Sequence, residues 1–146
     1  MKFSKQMSES IKLGVILAIA GGFMDAYSYM CRGKVFANAQ TGNIVLLSQS
    51  LVERKWSTVI HYLIPLGFFA MGIVVAEGIR QKYKNVQRIH WRQLVLLMEM
   101  LLLLVVGFLP TACNLLANAM VSFACAMQVQ TFRKVNGYAF ASTMCI

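Results

Sequence analysis

Apolar residues run almost unbroken through four stretches of this chain: 13–31 (LGVILAIAGGFMDAYSYMC), 57–79 (STVIHYLIPLGFFAMGIVVAEGI), 93–109 (QLVLLMEMLLLLVVGFL) and 115–132 (LLANAMVSFACAMQVQTF). A bilayer-spanning helix needs about 20 mostly apolar residues, so each run predicts a membrane span. A fifth stretch, 36–52 (FANAQTGNIVLLSQSLV), breaks the pattern. It carries Asn38, Gln40, Thr41, Gly42 and Asn43 between apolar flanks. Gly42 weakens a helix there and Asn43 tolerates the left-handed region. Broken backbone at membrane depth survives only where protein or water satisfies it. The pattern therefore predicts a polar, broken element after the first span, lining an interior. At 17 residues it is just long enough to cross, and a full crossing is the preferred reading over a re-entrant one.

Composition agrees with this picture. The chain has 146 residues, 58% hydrophobic and 13% charged, against ~45–50% and ~25% in soluble domains. The expected fold class is all-α, a polytopic integral membrane helix bundle forming a single membrane domain. The net charge of +9 comes from basic residues between the apolar runs, where they act as topology signals rather than a nucleic-acid surface. Residues 80–92 hold Arg80, Lys82, Lys84, Arg88 and Arg92 without an acid, and PTACN at 110–114 holds no charge. The first is expected in the cytoplasm and the second outside. The two readings of 36–52 differ by one basic residue in sidedness, too little to choose. Lys2, Lys5 and Lys12 before a short apolar core could also suggest a signal peptide, but the apolar run continues past Ala20 to Met30.

The candidate chemistry lies on the polar residues of the apolar runs. Asp25 is the one acid of the first run, and an ionised carboxylate in hydrocarbon is a functional-site hypothesis by default. Gly14, Ala18, Gly22 and Ala26 form a small-residue stripe beside it. Asn114, Asn118, Ser122, Ala126 and Gln130 recur every four residues in the last run, with Gln128 nearby. The expected substrate-binding set is Asp25, Asn38, Gln40, Thr41, Asn43, Asn118, Ser122 and Gln128. Glu99 finds no polar neighbour on its own helix and should pair elsewhere, with His61 or Asp25 as candidates. No H-E-x-x-H, G-x-S-x-G or phosphate-binding glycine loop is present. Cys31, Cys113, Cys125 and Cys145 have no metal-ligand spacing. Neither enzyme activity, metal nor cofactor is expected.

Residues 21–43 (GGFMDAYSYMCRGKVFANAQTGN) and 124–146 (ACAMQVQTFRKVNGYAFASTMCI) align weakly, Met24 with Met127 and Asp25 with Gln128. After a two-residue gap Phe36-Ala37-Asn38 meets Ala141-Ser142-Thr143. A second copy of the polar element would then begin near Tyr138, an internal repeat of the kind transporters use. Residues 21–47 and 135–146 also resemble the YoaK-type bacterial membrane proteins, the domain of unknown function 1275 family. The resemblance implies a multi-pass protein of the bacterial inner membrane that continues past the second motif, so this chain looks C-terminally truncated. It brings no activity with it. Taken together, the residues suggest a permease for a small solute or ion, with a non-transporting scaffold or subunit as the alternative. The expected partners are lipid, a small solute or ion, and further copies of the chain.

Overall fold

The computed structural model describes residues 10–83 and 91–132, together with the backbone of 134–135 and 138–139. Ser10 opens helix α1 (Ile11–Cys31), its hydroxyl accepting the Leu13 N–H at 3.3 Å and satisfying a donor the helix leaves orphaned. The helix closes where the Lys34 N–H donates to Tyr29 O at 3.1 Å around Gly33 at φ +93°. Such a six-to-one closure needs a left-handed residue, and glycine adopts it without a Cβ penalty. Lys34 is left-handed too, at φ 67°, with its ammonium 4.9 Å from the Tyr29 ring centroid.

Four further helices follow: α2 (Gln40–Val52), α3 (Trp56–Tyr83), α4 (Trp91–Phe108) and α5 (Asn114–Thr131), the last entered through a 3-10 turn at Thr111–Cys113. Pro65 lies inside α3 without ending it, although it removes the N–H that would normally meet the His61 carbonyl. Two short strands, β1 (Lys134–Val135) and β2 (Tyr138–Ala139), pair antiparallel with Val135 opposite Tyr138. The expected all-α fold is present, and α1, α3, α4 and α5 are each long and apolar enough to cross a membrane.

Helix α5 is the centre of the bundle and packs against α1, α3 and α4. Ala117, Ala119, Ala124 and Ala126 are all buried on it, and such small side chains let neighbouring helices approach closely. The tightest approach is at Gly72 of α3, where a Cβ would lie 2.6 Å from Phe123 O and 2.8 Å from Ala126 Cβ. Backbone cannot step aside there. Gly72→Ala should therefore cost about 1–3 kcal/mol, seen as a lower unfolding midpoint in detergent. Gly67→Ala, which meets nothing within 4 Å, should leave the midpoint nearly unchanged.

Contacts along α5 set the direction of each helix. Gly72 meets Phe123 and Ala126, and Glu77 accepts from Gln130 at 2.9 Å, so α3 runs parallel to α5. Met24 meets Cys125 at 3.6 Å and the Arg32 carbonyl meets Asn118 at 2.7 Å, so α1 runs antiparallel. Residues 32–55 thus leave one end of the bundle and return to it. Between those points Ala37 reaches the core cluster that holds Met24, Phe69, Val121 and Cys125, and Phe69 is near the midpoint of α3. Helix α2, about 20 Å long, carries the chain back out. The full crossing preferred from the length of 36–52 is not the path these directions give. Part of that stretch is spent on an irregular inward turn, leaving too little helix for a ~30 Å hydrocarbon core.

The expected small-residue stripe is also displaced. The buried face of α1 is Gly14, Leu17, Gly21, Met24 and Ser28, whereas Gly22 and Ala26 face outward. A strict four-residue spacing drifts by roughly 40° per step around a helix, so 14 and 26 cannot share one contact line. The outward surface is apolar, with Ile16, Ile19 and Phe23 on α1 and Leu97, Met100, Leu104 and Phe108 on α4 exposed. It suits acyl chains. Of the proposed second copy of the polar element, only the backbone of 138–139 is described, and the aligned positions 141–146 lie outside the described residues.

Candidate functional site

The inward turn is held by side chains of α1. Asp25 Oδ1 accepts the Asn38 N–H at 2.7 Å and the Ala39 N–H at 3.3 Å. Ser28 Oγ accepts the Ala37 N–H at 3.1 Å and donates to the Asp25 carbonyl at 3.2 Å. Three consecutive backbone donors are thus satisfied by residues three apart on one helix face. They lie where α2 begins, so the carboxylate sits at the positive end of a half-length helix. The half-buried Asp25 carboxyl faces protein, as an acid in a membrane segment must.

The amides of the motif complete the turn. Asn43 Oδ1 accepts the Phe36 N–H at 2.9 Å, while its Nδ2 donates to Phe36 O at 2.7 Å and to Gln40 Oε1 at 3.0 Å. One carboxamide thereby imitates a strand partner for Phe36. Gln40 Nε2 donates to Ala37 O at 2.9 Å. The Phe36 ring stacks on Tyr29 with centroids 4.6 Å apart. A Cβ on Gly42 would lie 2.9 Å from that ring, so the glycine provides clearance rather than a left-handed turn. Asn38, Gln40 and Asn43 are buried. Thr41 is exposed on the outer face of α2 and does not join them.

Helix α5 closes the far side. Asn118 Nδ2 donates to the Arg32 carbonyl at 2.7 Å, leaving its Oδ1 buried without a partner. Ser122 Oγ, one turn along, is likewise buried and unpartnered. The flanking contacts of Arg32 with Asn118 and of Met24 with Cys125 place Ser122 at about the level of Ser28. Gln128 is buried beyond the Met24–Cys125 contact, away from the inward turn. Six of the eight expected residues therefore fall on or around this turn: Asp25, Asn38, Gln40, Asn43, Asn118 and Ser122. Thr41 and Gln128 do not.

One residue of the site gave no warning in the sequence. Arg32 follows an apolar run and reads as a topology charge, yet it is only 5% exposed. Its Nε donates to Tyr27 Oη at 2.7 Å, one terminal nitrogen to Pro110 O and Asn114 Oδ1, and the other to Val106 O and Leu109 O at 3.0 and 2.9 Å. The guanidinium caps the C-terminal end of α4, where carbonyls lack helical partners and carry partial negative charge. At the mouth of the turn, His61 Nε2 lies 2.9 Å from Gly33 O, beside an open depression of about 260 Å³ lined by Ser57, Thr58 and His61. His61 is therefore engaged by the loop rather than by Glu99. Among the described residues, no group of three or more His, Cys, Asp or Glu side chains could hold a metal ion.

Four long apolar helices and one polar half-helix that turns back inside the bundle define the class: a multi-pass α-helical membrane protein. Within that class the chain belongs to the family described as protein of unknown function (DUF1275), whose family model matches residues 13–146. No curated protein and no solved structure matches it.

Proposed function

We propose that the chain forms a permease-type unit of the bacterial inner membrane for a small solute or ion, with residues 32–55 as its re-entrant gating element. One observation carries the reading: the N-terminal end of α2 lies at mid-bundle against an intramembrane acid. Discontinuous helices of this kind build transporter sites, because irregular backbone is tolerated where it lines a cavity. The basic stretch 80–92 marks the cytoplasmic face, so the element opens on the opposite face. Burial of Arg32 as a helix cap removes it from the outer charge count, which strengthens that orientation. The ligating role moves from Gln40 and Asn43, whose amides serve the turn, to Asn118 Oδ1 and Ser122 Oγ. Both are neutral oxygens suited to a hydrogen-bond donor or a monovalent cation. The saturated Gln40–Asn43 pair favours the second reading, a non-transporting scaffold.

Sided labelling separates the two. With Cys31, Cys113, Cys125 and Cys145 replaced by alanine, single cysteines at Lys12, Lys34, Lys82 and Ser122 are probed in sealed vesicles. Lys34→Cys should react with an impermeant maleimide from the face opposite Lys12→Cys and Lys82→Cys. Ser122→Cys should react with a small charged thiosulfonate from the Lys34 face. A Ser122→Cys thiol inert from both faces, in a chain that still passes the first test, would leave only the scaffold.

A further inference from the structure

The second intramembrane acid behaves unlike the first. Glu99 lies on α4 and is 5% exposed, and its Oε2 has no hydrogen-bond partner. On its own face it stands between Val95, packed with Ala76 and Met127, and Val106, packed in the cluster with Phe69 and Val121. The facing intervals are therefore about 69–76 of α3 and 121–127 of α5. The first, FAMGIVVA, contains no titratable group. The second, VSFACAM, contains only the Cys125 thiol, which points to Met24 Sδ. On α4 itself the nearest charge is Arg92, two turns away. Arg32, at the other end of α4, has its donors committed to Tyr27, Asn114 and three carbonyls. An ionised carboxylate with no cation and a bare oxygen is not tolerated in such surroundings. Asp25 differs, because two backbone N–H groups and the start of α2 face its charge.

We infer that Glu99 is a proton-binding site of the bundle interior and, resting on the permease reading, that it rather than Asp25 is the coupling acid. Asp25 holds the re-entrant turn as an anion, and Glu99 carries a hydrogen that can be given up when the α4–α5 contact opens.

The test uses dicyclohexylcarbodiimide on the whole chain in lipid at neutral pH. A protonated carboxyl adds across the carbodiimide C=N bond and rearranges to a stable acylurea, with no leaving group, whereas a carboxylate does not react. Trypsin isolates each acid, since Glu99 is the only acid between Gln93 and Arg133 and Asp25 the only one between Leu13 and Arg32. The expected result is one carbodiimide mass on the 93–133 peptide, absent in Glu99→Gln, with the 13–32 peptide unlabelled. Label on 13–32 with 93–133 clean would overturn the inference. So would no label on 93–133 until the chain is unfolded in acidic dodecyl sulfate, where both peptides should react. Labelling at Glu99 together with an inert Ser122→Cys would sink the permease reading while leaving the proton site standing.

Discussion

Arg32→Ala should abolish the folded bundle at ordinary detergent concentrations, with a loss of about 3–5 kcal/mol. The guanidinium joins α1 to the α4–α5 turn through five acceptors, none of them a carboxylate. Truncation leaves the Val106, Leu109 and Pro110 carbonyls and the Tyr27 hydroxyl short of a donor, and each unsatisfied buried group costs about 1–3 kcal/mol. Solvation at the end of the bundle recovers some of that sum, which keeps the total below simple addition. Arg32→Lys is the informative variant. An ammonium keeps the charge but has three donors on a flexible stem, without the planar fork that reaches both sides of the turn. It should restore less than half of the lost stability. Full recovery with lysine, read from unfolding in dodecyl sulfate, would show that charge near the end of α4 matters and the hydrogen-bond geometry does not.

What was legible in the sequence divides along the range of the interactions. The four long helices follow from run length, because a continuous apolar stretch has few other solutions in lipid. The polar element was legible as an anomaly, and Asp25, Asn38, Gln40 and Asn43 do meet there. Their pairing was not legible. Asn43 bonds the backbone of Phe36, and backbone groups leave no mark on composition. The same holds for Arg32: apart from Tyr27, its partners lie more than seventy residues away and are mostly main-chain carbonyls. Thr41 was misplaced because a polar run on a helix must send one member outward. The preferred full crossing failed for a related reason. Counting residues cannot tell helix from irregular turn, and the inward segment uses the residues that a crossing would need.

The roles proposed for the two acids also invert the simplest expectation. A charge in an apolar run suggests chemistry, and Asp25 stands in the motif-rich part of the chain. Yet Asp25 has donors and a helix end to neutralise it, whereas Glu99 sits in a plain leucine-rich run with a bare oxygen. Functional reserve in a low-dielectric interior lies with the group whose bonding capacity is unspent. By the same logic Asn118 Oδ1 and Ser122 Oγ are better candidates to meet a solute than the amides that first drew attention.

Asn43→Asp should be more damaging than Asn43→Ala, although aspartate is nearly isosteric with asparagine. Asn43 is 1% exposed, and its Nδ2 donates to two oxygens, Phe36 O at 2.7 Å and Gln40 Oε1 at 3.0 Å. A carboxylate would turn an acceptor toward both and bury a charge that no cation faces. The alanine variant leaves the same oxygens unpaired but adds no repulsion. The expected losses are about 3–5 kcal/mol for the aspartate and about 2 kcal/mol for the alanine. Acid should narrow the gap, because a protonated carboxyl regains one O–H donor. The folded state of the variant binds that proton more readily than the unfolded state, so its stability rises as pH falls. Thr41→Ala, two residues away on the exposed face, should stay within about 0.5 kcal/mol of the parent. Unfolding in dodecyl sulfate at neutral and acidic pH measures all three, and thiol reactivity of Ala37→Cys reports whether the turn has left the core. An aspartate variant as stable as the parent at neutral pH, with that thiol still protected, would mean the carboxamide does not hold the turn.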